Sequence, residues 1–143
     1  MRRTAGVFSL VIAVLLGASG CSTMHKSDSS ALQGTWKGQE AIGGAEGSCS
    51  LVISGYALEY HGADVNDWCK GTFMLREDTN PKQLVGVISE CPDPQYVGKA
   101  VCSIYKIEAG TLTIAGNHPG NPEVPASFDA PGARKLVLKN EQR

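Results

Sequence analysis

The chain has 143 residues, of which 42% are apolar, 19% charged and 6% aromatic. This length and composition are typical of one globular domain, so they exclude a multidomain protein. Thirteen basic and fourteen acidic residues give a formal net charge of −1, which offers no positive surface to a nucleic-acid partner. Seventeen Gly, seven Pro and short clusters of β-branched residues favour turns and short strands. We therefore predict an all-β fold.

Residues 1–20 have the features of a secretory signal peptide. Met1-Arg2-Arg3 supplies positive charge, and residues 7–16 are apolar except for Ser9. A helix of this length is about 15 Å long, roughly half the thickness of the hydrocarbon core of a bilayer. We therefore interpret the segment as a signal rather than as a permanent membrane span.

Small residues then lead directly to a cysteine, in the order Leu16-Gly17-Ala18-Ser19-Gly20-Cys21. This segment resembles the lipobox of bacterial lipoproteins, which implies cleavage before Cys21 and attachment of acyl chains to it. Residues 21–31 are then a flexible tether, because the polar stretch that begins at Ser22 cannot bury a face. Ser22 in place of Asp implies an anchor in the outer membrane, facing the periplasm or the cell surface. An ordinary cleaved signal followed by a chance cysteine is the alternative.

Four further cysteines, Cys49, Cys69, Cys91 and Cys102, follow the signal. An even number of cysteines in an exported chain predicts two disulfides, and free buried thiols are the alternative. Three sets of pairings are open, and the predicted strand order favours Cys49 with Cys69 and Cys91 with Cys102. Since no two cysteines have CxxC spacing and the three histidines are far apart in sequence, we predict no metal site and no cofactor.

Eight segments have apolar residues at alternate positions, which is typical of half-buried strands. An antiparallel meander of eight strands removes both of its edges and buries one face when it closes. We therefore predict a small up-and-down β-barrel over residues 32–143, whose interior is either filled by side chains or holds one small ligand. The predicted strands are 34–37, 49–53, 56–60, 71–75, 83–89, 99–106, 111–115 and 135–139.

Several short segments distributed over this region share the pattern of one protein family. They are Leu32-Gln33-Gly34-Thr35-Trp36, Asn80-Pro81-Lys82, Ile104-Tyr105-Lys106-Ile107-Glu108, Gly110-Thr111-Leu112-Thr113-Ile114, Pro122 with Phe128, and Leu136-Val137-Leu138-Lys139. The chain thereby resembles a lipocalin-like family of bacterial envelope proteins. The resemblance implies a calycin-type barrel in which Gly34 and Trp36 close the floor and Arg134 stacks over the indole ring. The four cysteines and Gly43-Gly44 depart from the family pattern.

The sequence contains no Gly-x-Ser-x-Gly, P-loop, Gly-x-Gly-x-x-Gly or His-Glu-x-x-His motif, so we predict that the protein is not an enzyme. We predict instead that it binds a small apolar or amphipathic ligand, and that the membrane is a second partner through the lipid anchor. Aromatic residues near strand ends are the candidates for the rim of the binding site. They are Tyr56, Tyr60, Trp68, Tyr96 and Phe128.

The alternative function is that of a protein-interaction module with a filled barrel. Gly47-Ser48-Cys49-Ser50-Leu51 together with Cys69 resembles small lipid-anchored barrels that inhibit secreted proteases or lysozyme. The partner would then be an envelope or secreted protein that contacts the loops. A cavity of a few hundred Å³ inside the barrel favours the ligand-binding function, and a filled interior favours the interaction module.

Overall fold

The computed structural model describes residues 26–142. The predicted signal peptide, Cys21 and the first part of the predicted tether lie outside the described residues. Residues 26–142 form a closed barrel of eight antiparallel strands in sequence order, so the all-β fold and the eight-stranded barrel are confirmed. The elements are α1 Asp28–Ala31, β1 Gly34–Ile42, β2 Ala45–Ser54, β3 Ala57–His61, β4 Trp68–Arg76, β5 Lys82–Glu90, a 3₁₀ turn Pro94–Tyr96, β6 Ala100–Glu108, β7 Thr111–Gly116 and β8 Arg134–Asn140.

Strands β1 and β2 are longer than predicted, because a tight turn between them was missed. Strand β1 continues to Ile42, which pairs with Ala45 across the two-residue turn Gly43-Gly44. The φ angles of these two glycines are 54° and 89°. A two-residue hairpin turn with positive φ at both positions is one that glycine adopts without strain. The Gly-Gly pair therefore extends the hairpin by several residues beyond the segment predicted from apolar alternation.

The two ends of the barrel differ in what covers them. Helix α1 and the buried Leu32 lie across the end at which β1 begins, and we call this end the floor. The opposite end, which we call the mouth, carries the β1–β2 turn and the three longer connections, residues 62–67, 91–99 and 117–133. Among the described residues no helix has the length and hydrophobicity needed to cross a bilayer.

Apolar side chains fill the floor half of the barrel. Trp36 is 1% exposed, and its indole N–H donates a 2.7 Å hydrogen bond to the carbonyl oxygen of Leu32. Gly34, where β1 begins, has a φ of 115° and lies against the side chain of Asn140. The cluster is continuous around Trp36 and includes Leu51, Ile53, Phe73, Leu84, Tyr105, Leu112 and Leu138.

The end of the predicted tether is part of the barrel domain. The Asp28 carboxylate accepts 2.7 Å hydrogen bonds from Lys82 Nζ and from the Tyr105 hydroxyl. Gln33 Nε2 donates to the carbonyl oxygens of Ser29 and Gly55, which ties α1 to the β2–β3 turn. The folded domain therefore begins at α1 rather than at residue 32, because polar side chains that cannot bury an apolar face still bind the floor.

We expect Asp28→Asn to lower the free energy of unfolding by about 1–2 kcal/mol at neutral pH. Burial alone would raise the pKa of Asp28, but the hydrogen bonds from Lys82 and Tyr105 outweigh it and hold the pKa below its ordinary value. A depressed pKa contributes stability above the unfolded pKa of about 3.9, and this contribution is lost as the pH falls through the folded pKa. Urea denaturation of both proteins should therefore show a difference at pH 7 that vanishes near pH 2. A difference that stays constant would contradict the assignment.

The long β7–β8 connection covers the outer face of β6. Ile104 has the outward orientation on β6, yet it is fully buried. Backbone N–H groups of Asn117 and Gly120 donate to the carbonyl oxygens of Cys102 and Ala100. Phe128 lies on the same outer face, with Lys106 Nζ 4.9 Å from the centre of its ring. The connection therefore adds a second, small apolar layer outside the barrel.

Candidate functional site

A cavity of about 420 Å³ lies inside the barrel between the apolar core and the mouth. Its wall is apolar because alternate residues of each strand face inward. The sequence left open whether the short barrel is filled, and the structure shows that only its floor half is. The inward-facing apolar residues that line the cavity are Leu51, Leu58, Leu84, Ile88, Val101, Ile114 and Leu136.

Glycine accounts for part of the empty volume. Gly86 on β5 lines the cavity, between Phe73 on β4 and Val101 on β6 in the strand pairing. The nearest atom to a Cβ built on Gly86 is the Thr72 carbonyl oxygen, at 3.8 Å. A side chain at position 86 would therefore fit the backbone and project into the cavity, and its absence leaves that space empty.

A cluster of polar side chains lies at the mouth on the side of β1, β3 and β8, and we call it the mouth cluster. It consists of Glu40, Tyr60, Asp67 and Arg134. The Tyr60 hydroxyl donates a hydrogen bond to Glu40 Oε2 and lies 3.1 Å from Asp67 Oδ2. Arg134 Nε is 3.8 Å from Glu40 Oε2, and Nη1 is 3.6 Å from Asp67 Oδ1. The guanidinium carbon is 5.2 Å from the centre of the Tyr60 ring.

Burial shapes the electrostatics of this cluster. Glu40 is only 8% exposed, so its carboxylate depends on the hydrogen bond from Tyr60 and on the positive charge of Arg134. Burial, followed by the hydrogen bond to Glu40, raises the pKa of Tyr60 well above its ordinary value, so the phenol keeps its proton and acts as a donor. Burial and then the nearby Glu40 raise the pKa of the inward-facing Cys49 to about 11. The cluster therefore holds fixed hydrogen-bond and charge partners at the entrance of an apolar space.

A glycine permits the close approach of two members of the cluster. A Cβ built on Gly62 would lie 2.2 Å from Asp67 Oδ2 and 2.9 Å from the Tyr60 hydroxyl oxygen. The Gly62 backbone N–H also donates a 2.7 Å hydrogen bond to the Asp67 carbonyl oxygen. The β3–β4 connection therefore brings Asp67 over Tyr60 because position 62 has no side chain.

The opposite side of the mouth carries an aromatic pair. The Tyr96 hydroxyl oxygen lies 3.3 Å from His118 Nε2, and the two rings meet edge to face with centroids 5.3 Å apart. His118 Nδ1 lies 3.0 Å from the Pro119 carbonyl oxygen, to which it donates because a carbonyl oxygen can only accept. Both side chains line the cavity. The mouth therefore presents aromatic edges on this side and charged groups on the other.

Three of the five aromatic residues proposed for the rim line the cavity, namely Tyr60, Trp68 and Tyr96. The other two do not. Tyr56 belongs to the β2–β3 turn at the floor, where its ring packs against Phe73 with centroids 6.0 Å apart. Phe128 covers the outside of β6. These two predictions were wrong for different reasons. Tyr56 is near a strand end, but strand ends occur at both ends of a barrel; Phe128 lies in a long loop that folds back along the outer wall.

The predicted stacking of Arg134 on Trp36 is also wrong. Trp36 pairs with Asn140 at the floor, whereas Arg134 begins β8 and pairs with Gly116 at the mouth. The length of β8 thus separates Arg134 from the indole ring. Its guanidinium instead lies over Tyr60, which makes Arg134 part of the candidate site.

No disulfide joins the four cysteines within the described residues, and the two favoured pairings are wrong. Strand β3 lies between Cys49 on β2 and Cys69 on β4, so their Cα atoms are about 10 Å or more apart. Cys102 pairs with Val85, and Cys91 lies about 20 Å further along the β5 direction. Disulfides join Cα atoms that are about 4.4–6.8 Å apart. Spacing along the chain did not reveal these separations.

Comparisons with protein-family models, curated proteins and solved structures find no match for this chain. Within residues 26–142 no three His, Cys, Asp or Glu side chains are grouped so that they could hold a metal ion. The fold and the site define a small, closed, eight-stranded antiparallel barrel with an internal cavity. This architecture is compatible with the lipocalin-like fold that the sequence resemblance implies.

Proposed function

We propose that the protein is a lipid-anchored lipoprotein of the bacterial envelope whose barrel binds a small apolar or amphipathic molecule without catalysing a reaction. The observation that carries this proposal is the cavity of about 420 Å³, with an apolar wall and a polar cluster at one side of its mouth. Ligand cavities in proteins have volumes of about 300–1,000 Å³ and are mostly apolar, with a few fixed polar groups. The cavity therefore suits a ligand at the small end of that range.

The position of the first described residues supports an anchor that leaves the cavity open. The chain enters the barrel at the floor through α1, at the end opposite the mouth. Seven residues, 21–27, would connect an acylated Cys21 to α1, and they span at most about 24 Å. Acyl chains on Cys21 would hold the domain at a membrane surface. The anchor and the ligand would then use opposite ends of the molecule.

The second candidate function is a protein-interaction or inhibitor module, and exposed apolar side chains at the mouth favour it. Val65 in the β3–β4 connection is 86% exposed, Val97 in the β5–β6 connection is 47% exposed, and Ile42 at the end of β1 is 39% exposed. A protein partner could bury these side chains at the mouth. Such a partner would cover the mouth instead of entering the cavity.

Native mass spectrometry of the protein extracted from the membranes of its own host distinguishes these functions. The ligand-binding proposal expects an acyl mass at Cys21 and a small molecule that stays with the folded barrel and is released on unfolding. A barrel that carries no small molecule and stays associated with a second protein would support the interaction module instead.

Blocking the cavity provides the quantitative test. The apolar fluorescent probe N-phenyl-1-naphthylamine should bind the wild-type protein saturably, and Gly86→Leu should weaken this binding about tenfold or more, which corresponds to about 1.4 kcal/mol. The leucine would occupy cavity space that the probe needs. Lys139→Leu places the same side chain at an exposed position of β8 and should leave binding unchanged. Equal affinity for wild type and Gly86→Leu, with both proteins folded by circular dichroism, would refute binding inside the barrel.

A further inference from the structure

Two cysteines meet at the mouth of the cavity, although they are 22 positions apart in the sequence. Cys69 lies in β4, and Cys91 directly follows β5. Lys70 pairs with Glu90 in the antiparallel β4–β5 ladder. Extending that register by one residue places Cys69 opposite Cys91. Both residues line the cavity and both are partly exposed.

Residues directly opposite each other in an antiparallel pair have side chains on the same face and Cα atoms about 4.5–5.5 Å apart. This separation falls within the range of about 4.4–6.8 Å that disulfides span. The thiols also influence each other, because Cys91 contributes, after burial, to raising the pKa of Cys69 above its ordinary value. Extending the register by one residue beyond the Lys70–Glu90 pair, on the mouth side of a β-bulge, therefore brings the two backbones within the separation that a cross-strand disulfide requires.

The other two cysteines cannot complete a second disulfide. Cys49 faces inward on β2, whereas Cys102 is on β6, four strands away around an eight-stranded barrel. Cys102 also has the outward orientation and is covered by the β7–β8 connection, whose Asn117 N–H binds its carbonyl oxygen. The two thiols are thus separated by the full width of the barrel and its wall.

We propose that Cys69 and Cys91 are an oxidation site that closes as a disulfide in the exported protein and fastens the β5–β6 connection to the mouth, while Cys49 and Cys102 stay reduced. The fastened segment, residues 91–99, carries Tyr96, which lines the cavity. Export supplies an oxidising compartment, in which disulfides persist. The proposal rests on the export that the proposed function includes, but it requires no ligand in the cavity.

The oxidation is a thiol–disulfide exchange with a small disulfide such as oxidised glutathione. One cysteine thiolate attacks a glutathione sulfur, forms a mixed disulfide and releases one glutathione thiolate. The second cysteine thiolate then attacks the mixed disulfide at the protein sulfur and releases the other. The protein loses two electrons and two protons: the disulfide of oxidised glutathione takes up the electrons as its bond breaks, and the two released thiolates take up the protons to give two reduced glutathione molecules.

Peptide mapping of the full-length protein tests which thiols react. The reduced protein is treated with oxidised glutathione, alkylated with iodoacetamide and digested with trypsin. Cys69 and Cys49 fall in the peptide 38–70, Cys91 in 83–99 and Cys102 in 100–106. The expected product joins 38–70 to 83–99 and leaves Cys102 alkylated. A cross-link that includes peptide 100–106, or complete alkylation of Cys49, Cys69, Cys91 and Cys102, would overturn the proposal.

Because peptide 38–70 contains two cysteines, single variants assign the bond. Cys49→Ala should keep the cross-link, and Cys69→Ala should abolish it. Closing the connection between β4 and β5 should also raise the Tm of the oxidised wild type by about 10 °C over its reduced form, with no such shift in Cys69→Ala. Loss of the cross-link in Cys49→Ala would contradict the bond between Cys69 and Cys91. An oxidised wild type that melts no higher than the reduced protein would contradict the stabilising role of that bond.

Discussion

Trp36→Ala is expected to lower the free energy of unfolding by about 3–5 kcal/mol, the usual cost of truncating a buried aromatic side chain. Trp36 is 1% exposed at the centre of the floor cluster. Its removal would open a space between α1 and the strands and would also leave the Leu32 carbonyl oxygen without its hydrogen-bond donor. Because small domains are stable by only about 5–15 kcal/mol, the variant should be close to unfolding at 37 °C. Urea denaturation followed by far-ultraviolet circular dichroism measures the difference.

The chain has a matched control in its second tryptophan. Trp68 lies at the mouth and is partly exposed, so Trp68→Ala should cost clearly less than Trp36→Ala. Trp36→Phe retains a ring in the core but loses the indole N–H, and we expect an intermediate cost of about 1–3 kcal/mol from the unpaired buried carbonyl. An equal loss of unfolding free energy in Trp36→Ala and Trp68→Ala would show that Trp36 has no special role in stabilising the floor.

The closed barrel was predictable from the sequence because alternation is a local signal. Pairs such as Leu51 with Ile53, and Leu136 with Leu138, have the two-residue period of a strand with one buried face. Eight such segments in one sheet leave few ways to remove two sheet edges, and closure is the simplest. The short α1 was missed because its stabilising contacts, from Asp28 to Lys82 and Tyr105, join residues far apart in sequence.

The candidate site was predicted only in part. Its residues come together because of how long each strand is and which end of the barrel each strand end lies at, and neither is a local feature of the sequence. Had β1 been extended past Lys37, its alternation from Trp36 would have placed Glu40 inward, as the structure shows. Asp67 reaches the site through a connection whose shape depends on Gly62. Arg134 was assigned to the wrong end of the barrel, beside Trp36, because no local pattern gives the pairing register of a strand. The same lack of register information led to the wrong cysteine pairings.

Arg134→Met is expected to lower the free energy of unfolding by about 2–3 kcal/mol, because it leaves the buried Glu40 carboxylate next to Asp67 without a cation. The cost lies below that for a fully buried ion pair, since the Arg134 side chain is 38% exposed. Methionine retains much of the apolar surface of the arginine stem while removing the guanidinium that lies over the Tyr60 ring. Chemical denaturation at pH 7 measures the loss, and the probe titration of the cavity reports whether the mouth keeps its shape.

Two further variants separate the loss of charge compensation from a general effect of altering β8. Adding Glu40→Gln to Arg134→Met should recover at least half of the loss, because the amide carries no charge and its oxygen still accepts the Tyr60 hydrogen bond. Lys135→Met removes the next residue's ion pair with Asp129, whose side chain is 85% exposed, and should change stability little. If the double variant were no more stable than Arg134→Met, the effect of Arg134 would arise from packing, and the mouth cluster would not depend on compensation of the Glu40 charge.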